Sequence, residues 1–143
     1  MIKEVNILLV EDDENDILAV QRAFEKNSIS NPLFVVQDGE EALAFLNHEK
    51  PYDDEKKYPL PDIILLDINM PKMNGLELLS VIKREERFKS VPVVVLTSSK
   101  REWDKIESYK LGVNSFMIKP VDFDKFSDAI VMINNYWSMT ELP

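Results

Sequence analysis

A doubly wound α/β domain is the fold class this sequence predicts, and three observations predict it. Five short aliphatic runs recur along 143 residues: VNILLV (5–10), LFVVQ (33–37), DIILLD (62–67), VPVVVLT (91–97) and SFMIK (115–119). The segments between them carry apolar residues at the three-and-four spacing of a helix. Polar residues that carry chemistry stand at the carboxyl end of four of the five runs.

Three of the runs are almost continuously apolar, as parallel strands covered on both faces require. Strand and helix alternate five times, and right-handed crossovers then put helices on both faces of one sheet. The first helix is expected to bury Ile17, Val20 and Phe24, the second Ala42, Leu43 and Leu46, and the third Leu76, Leu79 and Ile82. The fourth offers Trp103, Ile106 and Tyr109, with Gly112 as its C-terminal stop. The fifth carries Phe126, Ile130, Ile133 and Trp137 on one stripe. Asp13 is placed to cap the first helix, and Ser98 or Ser99 the fourth. Residues 47–61, NHEKPYDDEKKYPLP, are polar, contain three prolines and lack an apolar period, so they read as a long exposed loop. His48, the only histidine, reads as a solvated surface residue, and Met70, Met73, Met117, Met132 and Met139 as core fillers.

Composition sets the bounds. At 45% hydrophobic and 30% charged residues, the chain suits a single globular domain over 1–143, with a core at about 4–137 and a tail at 138–143. No apolar stretch approaches the roughly 20 residues of a membrane span, and MIKEVNILLV is too short and too acidic downstream for a signal peptide. Cysteine is absent, which excludes disulfides and thiolate metal sites and points to the cytoplasm. The formal net charge of -9 argues against a nucleic-acid binder, so proteins or a small ligand are the expected partners.

The strand ends deliver Glu11 and Asp12, then Asp67, then Thr97 and Ser98, then Lys119 followed by Pro120. If the strands are parallel, these groups converge beyond the carboxyl edge of the sheet, where such folds bind ligands. A carboxylate at the tip of a buried strand is costly without a partner. Two like charges about 4 Å apart repel by roughly 4 kcal/mol at an effective dielectric of 20, so clustered acids call for a cation. Oxygen ligands without histidine or cysteine select a hard divalent ion such as Mg²⁺. Together these features describe a phosphoryl-transfer environment, with an aspartate nucleophile and with metal and Lys119 neutralising the moving group.

LLVEDD, IILLDINMPKMNG, VVVLTS and FMIKP resemble the four signature blocks of response-regulator receiver domains from two-component phosphorelays, over about residues 4–137. The resemblance implies a flavodoxin-like sheet of order 2-1-3-4-5 with five helices. It makes Asp67 the phosphoacceptor, served by a sensor histidine kinase. Asp12 becomes a direct Mg²⁺ ligand, Glu11 acts through water, and Asn69 offers its backbone carbonyl. Thr97 would bond a phosphoryl oxygen, and Lys119 would pair with it beside a cis peptide to Pro120. Glu11 is a mild departure, since many receivers carry Asp there.

The long loop and the ending NNYWSMTELP are similar to stand-alone receivers paired with phytochrome kinases. Only about six residues follow the last helix, so the expected output is protein interaction or relay to a downstream protein or phosphotransfer partner, without turnover of an external substrate. Phe116 stands where receivers often carry a swinging aromatic, or else it is plain core. With Met132 and Tyr136 it could form an apolar patch on the fourth helix, fifth strand and fifth helix, predicting a homodimer favoured by phosphorylation. The main rival, a Mg²⁺-dependent phosphohydrolase with an aspartyl-phosphate intermediate, usually needs a second acid two residues after the nucleophile, and here Asn69 stands there.

Overall fold

Five parallel strands in the order β2-β1-β3-β4-β5 form one sheet in a computed structural model of the chain. It describes residues 5–26, 28–70, 74–97, 99–108, 110, 113, 115–118 and 128. The strands are β1 (Ile7–Val10), β2 (Leu33–Val36), β3 (Ile63–Asp67), β4 (Val93–Thr97) and β5 (Ser115–Ile118). Between them run α1 (Glu14–Lys26), α2 (Gly39–Leu46), α3 (Gly75–Arg84) and α4 (Lys100–Ser108). The expected order and four of the five expected helices are thus in place. The fifth helix, with Phe126, Ile130, Met132, Ile133, Tyr136 and Trp137, lies outside the described residues, as do Tyr109, Gly112, Met73 and Met139.

Alternation of side chains across each strand divides the core in two. Leu8, Val10, Ile64, Leu66, Val93 and Val95 pack with α2, α3 and α4 on one face. Ile7, Leu9, Ile63, Leu65 and Leu96 meet Ile17, Val20 and Phe24 of α1 on the other. Every residue of β1 and β3 is buried, which explains why both are apolar apart from Asp67 at the end of β3. Phe45 and Leu78 join the predicted stripes, whereas Leu43 and Leu76 are only partly buried. A helix lying flat on a sheet hides a wider arc than a three-residue stripe.

The helix starts are capped by side chains. Asp13 Oδ1 accepts from the N–H groups of Asn15 and Asp16 at 2.8 and 3.1 Å. Asp38 and Asn74 accept from Glu41 and Glu77 at 2.8 and 3.0 Å, and Ser99 Oγ accepts from the Glu102 N–H at 3.1 Å. Each cap contributes about 1 kcal/mol, and all four lie at the carboxyl edge of the sheet.

Gly75 holds the turn that follows β3. A Cβ there would stand 2.5 Å from Ile68 Cα and 2.7 Å from the Asp67 carbonyl oxygen, both of them backbone. Gly75→Ala is therefore expected to destabilise the fold by about 2 kcal/mol through overpacking, read as a lower urea midpoint at unchanged slope.

The segment 47–61 departs from a simple exposed loop. Its charged residues Asp53 to Lys57 are exposed, as expected. Tyr52 and Tyr58, however, turn inward and form an aromatic cluster with Phe45 and Phe34, at ring centroid distances of 5.1 Å (Phe45–Tyr52), 5.0 Å (Tyr52–Tyr58) and 6.4 Å (Phe34–Tyr58). The Tyr52 hydroxyl donates to Glu41 Oε1 at 2.5 Å, in the first turn of α2. The loop thus runs back along α2 and straps it to the sheet. His48 also corrects the solvated reading. Its side chain is 22% accessible, and Nε2 lies 2.9 Å from the Tyr58 carbonyl oxygen, which only an Nε2–H tautomer can satisfy. Backbone strain supports the fixed placement, for His48 adopts φ 54°.

Burial first, then the Glu41 carboxylate, pushes the Tyr52 phenol well above its usual range. The unfolded chain loses this proton near pH 10, while the folded chain keeps it. The native state then binds more protons, so the stability contributed by Tyr52 is full below about pH 10 and falls as pH rises further. Melting temperature is expected to drop above about pH 10 more steeply in the wild type than in Tyr52→Phe.

Candidate functional site

Parallel register brings the described strand-end residues Glu11, Asp12, Asp67 and Thr97 to one edge of the sheet. Val10 pairs with Leu66 across β1 and β3, and Asp67 pairs with Leu96 across β3 and β4. Glu11 follows β1 directly and is fixed by its N–H bond to the Val36 carbonyl at 3.0 Å. Glu11 is fully buried, Asp67 is 2% exposed and Thr97 is fully buried. Asp12 is half-buried. Carboxylate oxygens of Glu11, Asp12 and Asp67 all lie within 4.8 Å of one another. Asp13, Glu14, Asp16 and Asn69 extend the site into an open basin of about 520 Å³.

Local hydrogen bonds orient the acids. Glu11 Oε1 accepts from the Asp13 N–H at 3.2 Å, and Asp67 Oδ1 accepts from the Asn69 N–H at 3.1 Å. The Thr97 hydroxyl donates to the Ser99 carbonyl at 3.1 Å. Lys119, Ser98 and Pro120 lie outside the described residues.

The donor set fits a divalent cation. Carboxylates within 4.8 Å of one another repel by at least about 3.5 kcal/mol a pair at an effective dielectric of 20, and the pocket holds three. All the ligand atoms are oxygens, the set preferred by hard ions. Among the described residues this is the one group of three or more acids, histidines or cysteines arranged to hold a metal.

Two contacts go beyond the sequence reading. The Asn69 side-chain amide donates to both Glu102 oxygens at 3.2 Å, tying the turn after β3 to α4. Nothing in the sequence singles out Glu102, since an acid in the first turn of a helix is favoured by the helix dipole alone. Phe116 is half-buried and stacks on Trp103 of α4, with ring centroids 4.6 Å apart and planes at 16°. Met132 and Tyr136, the other members of the predicted patch, are outside the described residues.

A parallel sheet of this order, with three acids and a threonine at the ends of its three central strands, is the architecture of a phosphoryl-accepting receiver. The chain belongs to the response regulator receiver domain family, whose pattern matches residues 7–131. It is 39% identical over 134 residues to response regulator Rcp1 of Synechocystis sp., covering 94% of this chain and 89% of that protein. The Mn²⁺-bound structure of response regulator Rcp1 superposes with a TM-score of 0.73 at 39% identity, over 99% of each chain. The bacteriophytochrome response regulator RtBRR gives a TM-score of 0.82 at 43% identity, over 90% of this chain and 77% of that one. The phosphorylated cyanobacterial phytochrome response regulator RcpA gives 0.76 at 36% identity, over 98% of both. The chain is therefore a two-component response regulator, and its site is built to receive a phosphoryl group on aspartate. The phosphohydrolase alternative is disfavoured. Asn69 stands where that enzyme needs an acid, and its amide cannot exchange the required proton.

Proposed function

We propose that Asp67 accepts the phosphoryl group from a sensor histidine kinase. The observation that carries this reading is the buried Asp67 carboxylate at the tip of β3, within 4.8 Å of the carboxylates of Glu11 and Asp12. The Asn69 N–H holds Oδ1 and so fixes the plane of the attacking group. A carboxylate oxygen forms the new P–O bond as the P–N bond to the kinase imidazole breaks, and the imidazole then takes up a proton from solvent. Asp12 and Asp67 would hold Mg²⁺ directly, with Glu11 through water and the Asn69 carbonyl as a further ligand. When bound, Mg²⁺ supplies positive charge against the phosphoryl oxygens. The Thr97 hydroxyl would turn from Ser99 to a phosphoryl oxygen, and Lys119 would pair with another.

Resemblance to the bacteriophytochrome response regulator RtBRR and the cyanobacterial phytochrome response regulator RcpA supports a phytochrome-like kinase as the partner. We read the chain as one cytoplasmic receiver domain over 1–143 that signals by binding partners or by relay and turns over no external substrate. No helix among the described residues is long and apolar enough to cross a membrane. For the homodimer surface we keep the face of α4, β5 and the last helix, with Met132 and Tyr136 beside Phe116, although the stack on buried Trp103 ties Phe116 to the core. Light scattering with and without beryllium fluoride tests the dimer. A strict monomer in both states would defeat it. Incubation with acetyl phosphate and Mg²⁺ tests the acceptor, and addition of one phosphoryl group by intact mass is the expected result.

A further inference from the structure

Hydrogen bonds join the two chemical strand ends through α4. Asp67 Oδ1 accepts from the Asn69 N–H at 3.1 Å, and Asn69 Nδ2 donates to Glu102 Oε1 and Oε2 at 3.2 Å. The Glu102 N–H donates to Ser99 Oγ at 3.1 Å, and the Ser99 carbonyl accepts from Thr97 Oγ1 at 3.1 Å. Thr97 and Asp67 stand at the ends of neighbouring strands, so the path runs from one strand end to the next. Every link is a named contact, and Glu102 is its member on the body of α4.

We infer that Glu102 is a positioning residue that latches α4 to the phosphoacceptor turn through Asn69 and favours the unphosphorylated arrangement. This rests on Asp67 being the acceptor. Two physical effects give the latch its direction. Turning the Thr97 hydroxyl to a phosphoryl oxygen removes its bond to Ser99, the residue that caps α4 and receives the Glu102 N–H. Phosphorylation also brings up to about two negative charges to Asp67, two residues from an asparagine held by an anionic carboxylate. Coupling between sites is reciprocal, so weakening the latch must favour phosphorylation. There is room for α4 to shift, for Asn69 and Glu102 line a 250 Å³ groove with Ile68, Met70, Leu76 and Ile106.

Glu102→Gln keeps one acceptor oxygen but removes the charge. Initial labelling by acetyl phosphate with Mg²⁺ at low salt is expected to rise about five-fold over wild type. The gain should shrink at about 0.5 M salt, because the bond is exposed and screened. Asp104→Asn makes the same charge change on α4, where Asp104 pairs with Lys100 at 3.1 Å, and should label like wild type. On an Asn69→Ala background, Glu102→Gln should add nothing. Amide exchange in the first turn of α4, without metal or donor, should quicken most in Asn69→Ala, which removes the donor, and to a smaller extent in Glu102→Gln, which keeps one acceptor. Wild-type labelling by Glu102→Gln, additivity with Asn69→Ala, or unchanged exchange would overturn the latch. Failure of every variant and the wild type to label would instead overturn the acceptor assignment, and the exchange comparison would still decide the latch.

Discussion

Asp67→Asn is expected to take up no phosphoryl group from acetyl phosphate and Mg²⁺, while Asp13→Asn labels fully. The substitution keeps the shape of the side chain and can still accept from the Asn69 N–H, but an amide oxygen is a poor nucleophile and forms no stable acyl phosphate. Loss should therefore be complete by intact mass. Asp13 is the informative control because it lines the same acidic basin yet serves as the cap of α1. Asp13→Asn retains a capping oxygen, so both stability and labelling should stay near wild type. The same Asp67→Asn protein should melt higher than wild type in metal-free buffer, since one of three mutually repelling carboxylates has lost its charge. A site built for reaction is held at the expense of stability. Equal labelling of wild type and Asp67→Asn would end the assignment.

The second large effect concerns Asp12. Asp12→Ala is expected to weaken Mg²⁺ binding about 100-fold, equivalent to roughly 2.7 kcal/mol, by isothermal titration. Asp12 is the most accessible of the three acids and so the one a hydrated ion is expected to meet first. Mg²⁺ that binds only the folded state raises stability by RT ln(1 + [L]/Kd), about 2.7 kcal/mol at 100 times Kd. Millimolar Mg²⁺ should then raise the melting temperature of the wild type but hardly that of Asp12→Ala. Glu11, wholly buried behind it, is predicted to matter less for direct affinity and more for the metal-bound water. Wild-type affinity in Asp12→Ala would exclude it as a ligand.

Much of this architecture is written in patterns that depend on near neighbours. Short strands covered on both faces must be almost wholly apolar, and β1, β3 and β4, of four, five and five residues, were readable for that reason. Asp67 was readable as an exception to its own strand. Asp13 and Ser99 act as caps, as their residue types and positions predict. Contacts between distant segments leave weaker traces. Tyr52 and Tyr58 sit among charged residues with no period, and their burial depends on meeting Phe45 and Phe34. The hydrogen bond of His48 is made to a residue ten positions away across a folded loop. Glu102 reaches Asn69 over 33 residues, and no local preference distinguishes it from any other acid at a helix start.

The burial of β3 has a consequence in time as well as in space. Its residues lie at the centre of the sheet, none of them more than 2% exposed. Toward one edge the cover thins, with Phe116 and Met117 half-buried and Ile118 43% exposed on β5. Proteins open piecemeal, and segments with the least buried contact open most often. A phosphoryl group on Asp67 would thus be anchored to the most deeply buried strand, whereas β5 at the rim is expected to open and reclose more often. Amide exchange should accordingly slow from β5 inward to β3. The acceptor strand and the β5 rim are then expected to move on separate clocks, the centre slow and the edge fast.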